Sequence, residues 1–415
     1  TVDVYFGEKV ADPYRWLEDD MSAQTAEWVD AENAVTRKYL DNIPMRKNIL
    51  KRLKETANYE KIGIPFKRQG KWYVYRNNGL QNQSVLYQMD SPTADASKQR
   101  VWLDPNALST DGTVALKGIY FSHNGRYMAY VISRSGSDWE EIYVKDCQTG
   151  RDIDDHIVWA KVTGATWLGD GFYYSAYDAP EKGRETSAKN SVQKIYYHKI
   201  GTPQSEDQLF FMNPTQPLRF YNVDIDHDEK VMTLNEGGMD NGNNLYVRDL
   251  TKPNSQFIQM CSDTRFRYST VETVGKKMYI LTNAGAPKYR LMVADVDRPG
   301  YNDWKEVVPE GESVLTDVTF AADRMILQYS KDNCNQMYTY TTDGKRIGEI
   351  KLPTFGSTSA SGMRGQKEVF YSFTSYTMPN TVYSYDLNTD KSTVWAAPKI
   401  NFRSDNYKTE MVFYT

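Results

Sequence analysis

From about Ile62 to Pro398, one pattern recurs seven times: a turn, a short alternating segment, a polar loop and a second alternating segment. Its clearest instance is Lys71-Trp-Tyr-Val-Tyr-Arg76, then the turn residues Asn77, Asn78 and Gly79, then Ser84-Val-Leu-Tyr-Gln-Met89. Apolar alternation of period two marks strands, and an Asn/Gly turn between two such runs marks a hairpin. The equivalent first segments centre on Tyr73, Tyr127, Tyr173, Met232, Tyr279, Ile326 and Phe370, spaced 44 to 59 residues apart. Their partners begin near Val85, Ile142, Ile195, Leu245, Leu291, Met337 and Val382. His123-Asn-Gly125, Gly169-Asp-Gly171, His227-Asp-Glu229, Gly275-Lys-Lys277 and Ala322-Asp-Arg324 each lead into a first segment. The pattern predicts an inner strand followed by an outer one in every unit.

A twisted sheet of four short strands cannot bury both of its faces alone, so a unit of this length needs a neighbour on each side. Seven such units predict a mainly β fold, a seven-bladed β-propeller over residues 60–398. A pair of β-sandwiches would give no reason for seven units of similar length.

The first 59 residues follow a different period. After Glu18, Asp19, Asp20 and Ser22, the residues Ala23, Ala26, Val29, Ala34, Val35 and Leu40 recur at helical spacing and stop before Pro44. This predicts an amphipathic helix with acidic residues at its positive end, and Ile49, Leu50 and Leu53 predict a second helix, basic on its outer side. Beyond Pro398, the alternating run Thr409–Thr415 predicts a strand outside the seven units, opening a further domain over 399–415.

At 415 residues the chain exceeds one ordinary hydrophobic core. A net charge of -4 with 25% charged residues points to neither nucleic acid nor membrane as a partner, and a soluble, monomeric protein is expected. Compartment stays open between cytoplasm and periplasm, because Cys147, Cys261 and Cys334 are too few and too scattered for a disulfide framework or a zinc site. Neither cofactor nor metal is expected. A phosphate-binding glycine loop and a His-Glu-x-x-His metal motif are both lacking.

Catalytic groups are equally hard to find. A serine hydrolase of the α/β type presents its nucleophile in Gly-x-Ser-x-Gly, and that pentapeptide does not occur. Gly356-Ser-Thr-Ser-Ala-Ser-Gly362 has the wrong spacing and reads as a connection between units. His123 and His227 fall in turns, and neither they nor His156 and His198 pair with a nucleophile. No catalytic residue is predicted within this chain, so function must come from loops, a channel or a partner domain.

Several segments nevertheless resemble one family. Asp12-Pro-Tyr-Arg-Trp-Leu-Glu-Asp19 is similar to the opening of prolyl oligopeptidases. Asn78-Gly-Leu-Gln-Asn-Gln-Ser-Val-Leu-Tyr87, Val101-Trp-Leu-Asp-Pro-Asn106, Ser109-Thr-Asp-Gly-Thr-Val-Ala-Leu116, Ser135-Gly-Ser-Asp-Trp139, Tyr196-Tyr-His-Lys-Ile-Gly-Thr202 and Phe370-Tyr-Ser-Phe-Thr-Ser375 resemble further family segments in order. The resemblance implies that residues 1–59 are the N-terminal helical segment of a peptidase domain, and that 60–398 are its inserted propeller. It further implies that 399–415 are the first strand returning to an α/β-hydrolase domain, whose Ser, Asp and His would follow Thr415.

The implied reaction is hydrolysis of short peptides on the carboxyl side of proline by an acyl-serine route, with the propeller acting as a size filter. The implied partners are proline-containing oligopeptides and the chain's own hydrolase domain. Three residues are implied as substrate-binding: Tyr173 as an aromatic contact, Phe220 where the family has a methionine, and Asn235 near a family arginine. Gly238 or Met239 falls near a family cysteine. Without the arginine, charge-assisted recognition of a substrate carbonyl would be lost. The long polar stretch Asp178–Ser191 is expected to be a mobile loop controlling access, or a tolerated insertion. The alternatives are a related oligopeptidase cleaving after Arg or Lys, against which the Gly79-Leu-Gln-Asn-Gln83 segment speaks, and a stand-alone propeller serving as an interaction scaffold.

Overall fold

A computed structural model describes residues 1–414 and gives the predicted architecture: seven four-stranded antiparallel blades over residues 66–103, 114–160, 166–212, 220–261, 268–308, 314–350 and 357–396. In each blade the first strand borders a central lumen and the chain meanders outward. Turns joining first to second and third to fourth strands therefore share one face, here called distal. Turns joining second to third strands, and connections between blades, share the other, proximal face. A register shift interrupts the pairing of the third strand with the fourth in every blade, and such irregularities increase local twist.

The segments that alternate most clearly in sequence are the second and third strands. In blade two the second strand, Tyr127–Arg134, sends Ala129 and Val131 into the seam with blade three and Met128, Tyr130 and Ile132 into the seam with blade one. Both faces of the middle pair are buried, so alternation in these strands divides residues between two cores. The core is accordingly seven separate wedges of buried side chains, one per seam. The expectation of an inner and an outer strand is corrected here: those segments are the middle pair, and the lumen is lined by shorter first strands such as Thr166–Leu168 and Ser357–Ser361.

Ring closure is made by side-chain contacts, without a shared strand. Blade one consists only of residues from the N-terminal side of the ring and blade seven only of residues from its C-terminal side, with no strand exchanged. Trp72 meets Phe370 edge-on at 5.5 Å, Phe370 meets Trp395 at 5.7 Å, and the Trp395 indole donates to the Pro92 carbonyl at 3.1 Å. Lys67 and Glu368 add an ion pair at 3.7 Å. This wedge has the smallest set of fully buried residues of the seven.

Blades two and three are joined more firmly. A backbone pair between Ala160 and Ala176 fuses their sheets. Toward the other end of the same strands His198, whose side chain is 0% exposed, lies between two carboxylates, Asp155 at 2.9 Å and Asp207 at 2.7 Å. The Tyr174 hydroxyl donates to Asp207 at 2.7 Å and the Gly201 amide to Asp155 at 2.6 Å. Burial opposes charge on this imidazole, but the hydrogen bonds to Asp207 and Asp155 prevail and raise its pKa above the ordinary 6.5.

The predicted helices are present as α1 (Ala23–Asp41) and α2 (Arg46–Ala57), with Ser22 capping α1 by accepting the Thr25 amide at 3.2 Å. Their apolar stripes are uncovered: Trp28, Val29, Val35, Tyr39, Ile49, Leu50 and Leu53 are 42% to 74% exposed. A short hairpin, Val2–Tyr5 with Glu8–Ala11, precedes them and carries no strong alternation in sequence. The end of α2 is tied to blade one, where Gly79, at φ 134°, lets its turn approach Asn58 so closely that a Cβ would lie 2.3 Å from the Asn58 amide oxygen. The Lys61 ammonium donates to the Gly79 carbonyl at 2.8 Å.

The strand expected over Thr409–Thr415 does not form over 409–414, and Thr415 lies outside the described residues. A strand exists only with a partner edge, and the segment 409–414 pairs with no strand of the seven blades. It instead lies over the loops of blades six and seven, bordering a cavity with Phe355 and Tyr376. No helix of the described residues is long and apolar enough to cross a membrane, and no three His, Cys, Asp or Glu side chains among them converge as a metal site requires.

Candidate functional site

Three of the cavities among the described residues lie at the distal mouth or in the lumen. The blade-four first strand, Phe220–Ile225, directs Asp224 into it, and cavities of about 570 and 530 Å³ adjoin that residue, toward blades five to seven and blades one to three respectively. Thr270, Thr319 and Ser361 from first strands line part of the first cavity, and Phe66, Tyr120, Phe121 and Trp167 line much of the second.

At the distal mouth, side chains join blades that are not neighbours in the ring, so these contacts span the opening. The blade-four turn reaches blade seven through Asp228 and Arg364 at 3.0 Å, and blade two through Glu229 and His123 at 3.7 Å. Arg364 also lies 3.9 Å from Glu272 of blade five, and the Gln69 amide of blade one donates to the His123 carbonyl. The His123 and His227 rings lie nearly parallel, 6.4 Å apart. Burial raises the Glu272 carboxyl pKa, with the Thr273 amide and the Arg364 charge acting in the opposite sense. Nothing local in the sequence announces this closure; His123 and His227 were legible only as turn residues.

The proximal face is apolar by contrast. Leu80, Val162, Leu218, Met239, Phe355 and Tyr376 are exposed large side chains in second-to-third turns or blade connections, with Met239 at 94% and Tyr376 at 97%. On distal turns, among the described residues, only Tyr301 is comparable, at 36%.

The three residues implied as substrate-binding are not gathered into one pocket. Phe220 is half-buried at the proximal start of blade four's first strand, opposite Gly237. Asn235 pairs with Asn222 on the adjacent strand, and its side-chain oxygen accepts from the Asn243 amide at 2.9 Å. Tyr173 is in the seam between blades three and four, its ring 4.7 Å from Phe210 and 4.9 Å from Tyr197. Burial pushes its phenol pKa upward. The rim beside Asn235 does carry a guanidinium that the sequence did not bring to notice: Arg219, paired with Asp240 at 2.6 Å and lying against Gly238.

The Asp178–Ser191 stretch returns to the N-terminal segment. Thr186 donates to Asp20, Arg184 is 4.0 Å from Glu18, and the Trp139 indole donates to the Glu185 carbonyl. Trp139 is itself braced edge-on by Trp159 at 5.3 Å.

A seven-bladed propeller with ionic contacts across one mouth of its lumen, an apolar rim at the other and uncovered helices on its N-terminal side is the kind of domain that attends a second domain. The chain belongs to the prolyl oligopeptidase family: the family described as "Prolyl oligopeptidase, N-terminal beta-propeller domain" matches residues 1–398. It is 39% identical over 417 residues to a prolyl endopeptidase of Elizabethkingia meningoseptica, covering 100% of this chain and 58% of that protein. It is 30% identical to a prolyl endopeptidase of Dictyostelium discoideum, covering 98% of this chain and 62% of that one. Among solved structures, one from a study of two prolyl endopeptidases and their inter-domain dynamics superposes with a TM-score of 0.78 at 32% identity, covering 100% of this chain and 60% of that one. Prolyl oligopeptidase B of Galerina marginata, bound to a 35mer hydrolysis and macrocyclization substrate, superposes at 0.86 with 26% identity, covering 100% and 62%. The chain thus spans about three-fifths of the length of these relatives.

Proposed function

We propose that this chain is the access-controlling part of a serine endopeptidase that hydrolyses short peptides on the carboxyl side of proline. In this reading, residues 1–59 and 399–415 belong to an α/β-hydrolase domain carrying the Ser-His-Asp triad, and 60–398 form the propeller that covers it. The observation that carries the reading is the polarity of the ring: exposed apolar side chains crowd the proximal rim while ionic contacts span the distal mouth. An apolar rim of this kind marks an interface, and ionic contacts across the far mouth narrow the route through the lumen. A folded protein is then too wide to reach the nucleophile, whereas an extended peptide entering between the domains is not.

Phe220 and Asn235, close to the proximal rim, are proposed to contact the substrate residues preceding proline, with Arg219 supplying the nearby positive charge. Tyr173 is proposed to support that wall from the seam behind it.

The test is to express the complete reading frame that contains this chain and compare matched reporter peptides ending in Pro or Arg. Faster turnover of the Pro reporter, with no cleavage of a folded protein containing the same sequence, is the expected result. Preference for the Arg reporter would assign the basic-residue branch instead, and turnover of neither would leave the chain a scaffold.

A further inference from the structure

Gln193 is a polar side chain without exposed surface, placed where the long Asp178–Ser191 stretch re-enters blade three just before the strand Lys194–Lys199. Its amide nitrogen donates to the Lys161 carbonyl, in the connection from blade two to blade three, at 2.9 Å. Its amide oxygen accepts from the Tyr221 backbone amide, in the first strand of blade four, at 2.6 Å. One side chain thus bonds backbone on both flanks of its own blade. The preceding residue adds a second tie, because the Val192 amide donates to the Pro217 carbonyl at 2.7 Å. Val192 holds φ at 57°, a left-handed conformation that a β-branched residue keeps only where its surroundings impose it. From the second strand of blade three, the Ser175 hydroxyl donates to the Tyr221 carbonyl at 2.7 Å, while the Ser175 amide donates to the Thr163 hydroxyl at 2.7 Å. Both backbone groups of Tyr221 are therefore bonded by blade-three side chains that are themselves buried.

Arg219 and Phe220 stand between these ties, with Pro217 bonded on one side and Tyr221 on the other. Blades three and four share no strand pairing among the described residues, so side-chain hydrogen bonds and packing decide where the first strand of blade four begins. The Tyr221 ring is 1% exposed and lies 5.0 Å from Phe211, which seats the strand in the seam, and the paired backbone groups fix its height there. A buried amide or carbonyl left unpaired is costly, so a shifted strand loses these bonds without replacement. A primary amide suits the task because it donates and accepts from one planar group. We infer that Gln193 is a positioning residue for the substrate wall of blade four, holding Arg219 and Phe220 where they meet the peptide residues preceding proline. The inference rests on the peptidase reading for what the wall contacts; the strap from Gln193 to Tyr221 does not. The same stretch reaches Glu18 and Asp20 through Arg184 and Thr186, so one run of chain links the N-terminal segment to the substrate wall.

The experiment compares Gln193→Met with the unaltered protein, both in the complete reading frame. Methionine keeps the length of the side chain and loses both hydrogen bonds. Hydrogen exchange is read in peptides covering 217–222, and turnover is read on two reporters, an N-capped proline and the same reporter with three residues before the proline. Exchange in 217–222 is expected to quicken about tenfold, with the blade-three strand 194–199 unchanged. The kcat/KM of the longer reporter should fall about tenfold through KM, the worth of one hydrogen bond, while its kcat and the turnover of the capped proline change by less than about twofold. Ser175→Ala frees only the Tyr221 carbonyl and should move the same quantities in the same direction by less, which keeps the test open where the methionine variant folds poorly. Equal losses on both reporters, a loss carried by kcat, unchanged exchange in 217–222, or faster exchange with KM unaltered would each overturn the inference. A complete protein that cleaves neither reporter refutes the peptidase reading instead, and faster exchange at 217–222 then still measures the strap.

Discussion

Replacing Asp207 by Asn tests whether the bolt between blades two and three depends on charge or on shape. His198 and Tyr174 use different oxygens of Asp207, and the substitution keeps one oxygen to accept from His198 while its amide nitrogen can donate to the Tyr174 hydroxyl, so the shape of both contacts is retained. What it removes is one of two carboxylates flanking an imidazole that is 0% exposed. Withdrawing one partner from a buried ion pair costs about 3 to 5 kcal/mol. Because the hydrogen bond to Asp155 at 2.9 Å survives, the lower end, about 3 kcal/mol, is expected here. The pH dependence gives the sharper signature. The folded pKa of His198 is raised, so its contribution is complete below the ordinary value of 6.5 and is lost as pH rises through the raised folded value. Urea denaturation of both proteins from about pH 5.5 to about pH 9 should therefore show the widest stability gap at the acidic end and a narrowing gap above it. A gap of constant size across that range would show that shape, not charge, holds the seam, and a widening gap would refute the sign of the assigned shift.

Phe370→Ala removes the centre of the closing seam, where the ring is 4% exposed, and should cost about 3 to 5 kcal/mol in the same denaturation assay, whereas Val394→Ala on the outer strand nearby should change stability by less than about 0.5 kcal/mol. For the distal mouth, exchanging the charges as Arg364→Asp with Asp228→Arg should recover at least half of the roughly 1 kcal/mol lost in either single variant, and additive losses would show that the two side chains do not couple.

Much of the fold was legible because the middle strands of each blade are buried on both faces. Tyr127–Arg134 and Lys71–Asn77 carry an almost unbroken series of buried residues, and the period-two signal in them is strong. The first strands were harder to see because they border water in the lumen: Ser357–Ser361 is entirely small and polar or alanine, and Thr166–Leu168 has three residues. The strongest alternation therefore falls on the middle pair of each blade and not on the strand that lines the lumen. The helices were legible from capping and spacing, but not that their apolar stripes would stay uncovered. The candidate sites were largely hidden because they are made across the ring. His123 meets a blade-four turn 106 positions later, and no local pattern encodes that relation. Family resemblance named Tyr173, Phe220 and Asn235, but it could not show that the first belongs to a seam and the other two to the wall near the rim.

The closing seam also bears on how the vessel is made. Since no strand is shared between blades one and seven, the two ends of the ring meet only when Phe370 and Trp395 have been synthesised and can reach Trp72. Six blades emerging from the ribosome form an open arc whose first blade exposes an apolar flank. Joining the ends closes a very long loop, but the entropic cost rises only logarithmically with length, so a modest aromatic wedge suffices. Lumen, mouths and any ligand site within them come into being together, at the last step of assembly.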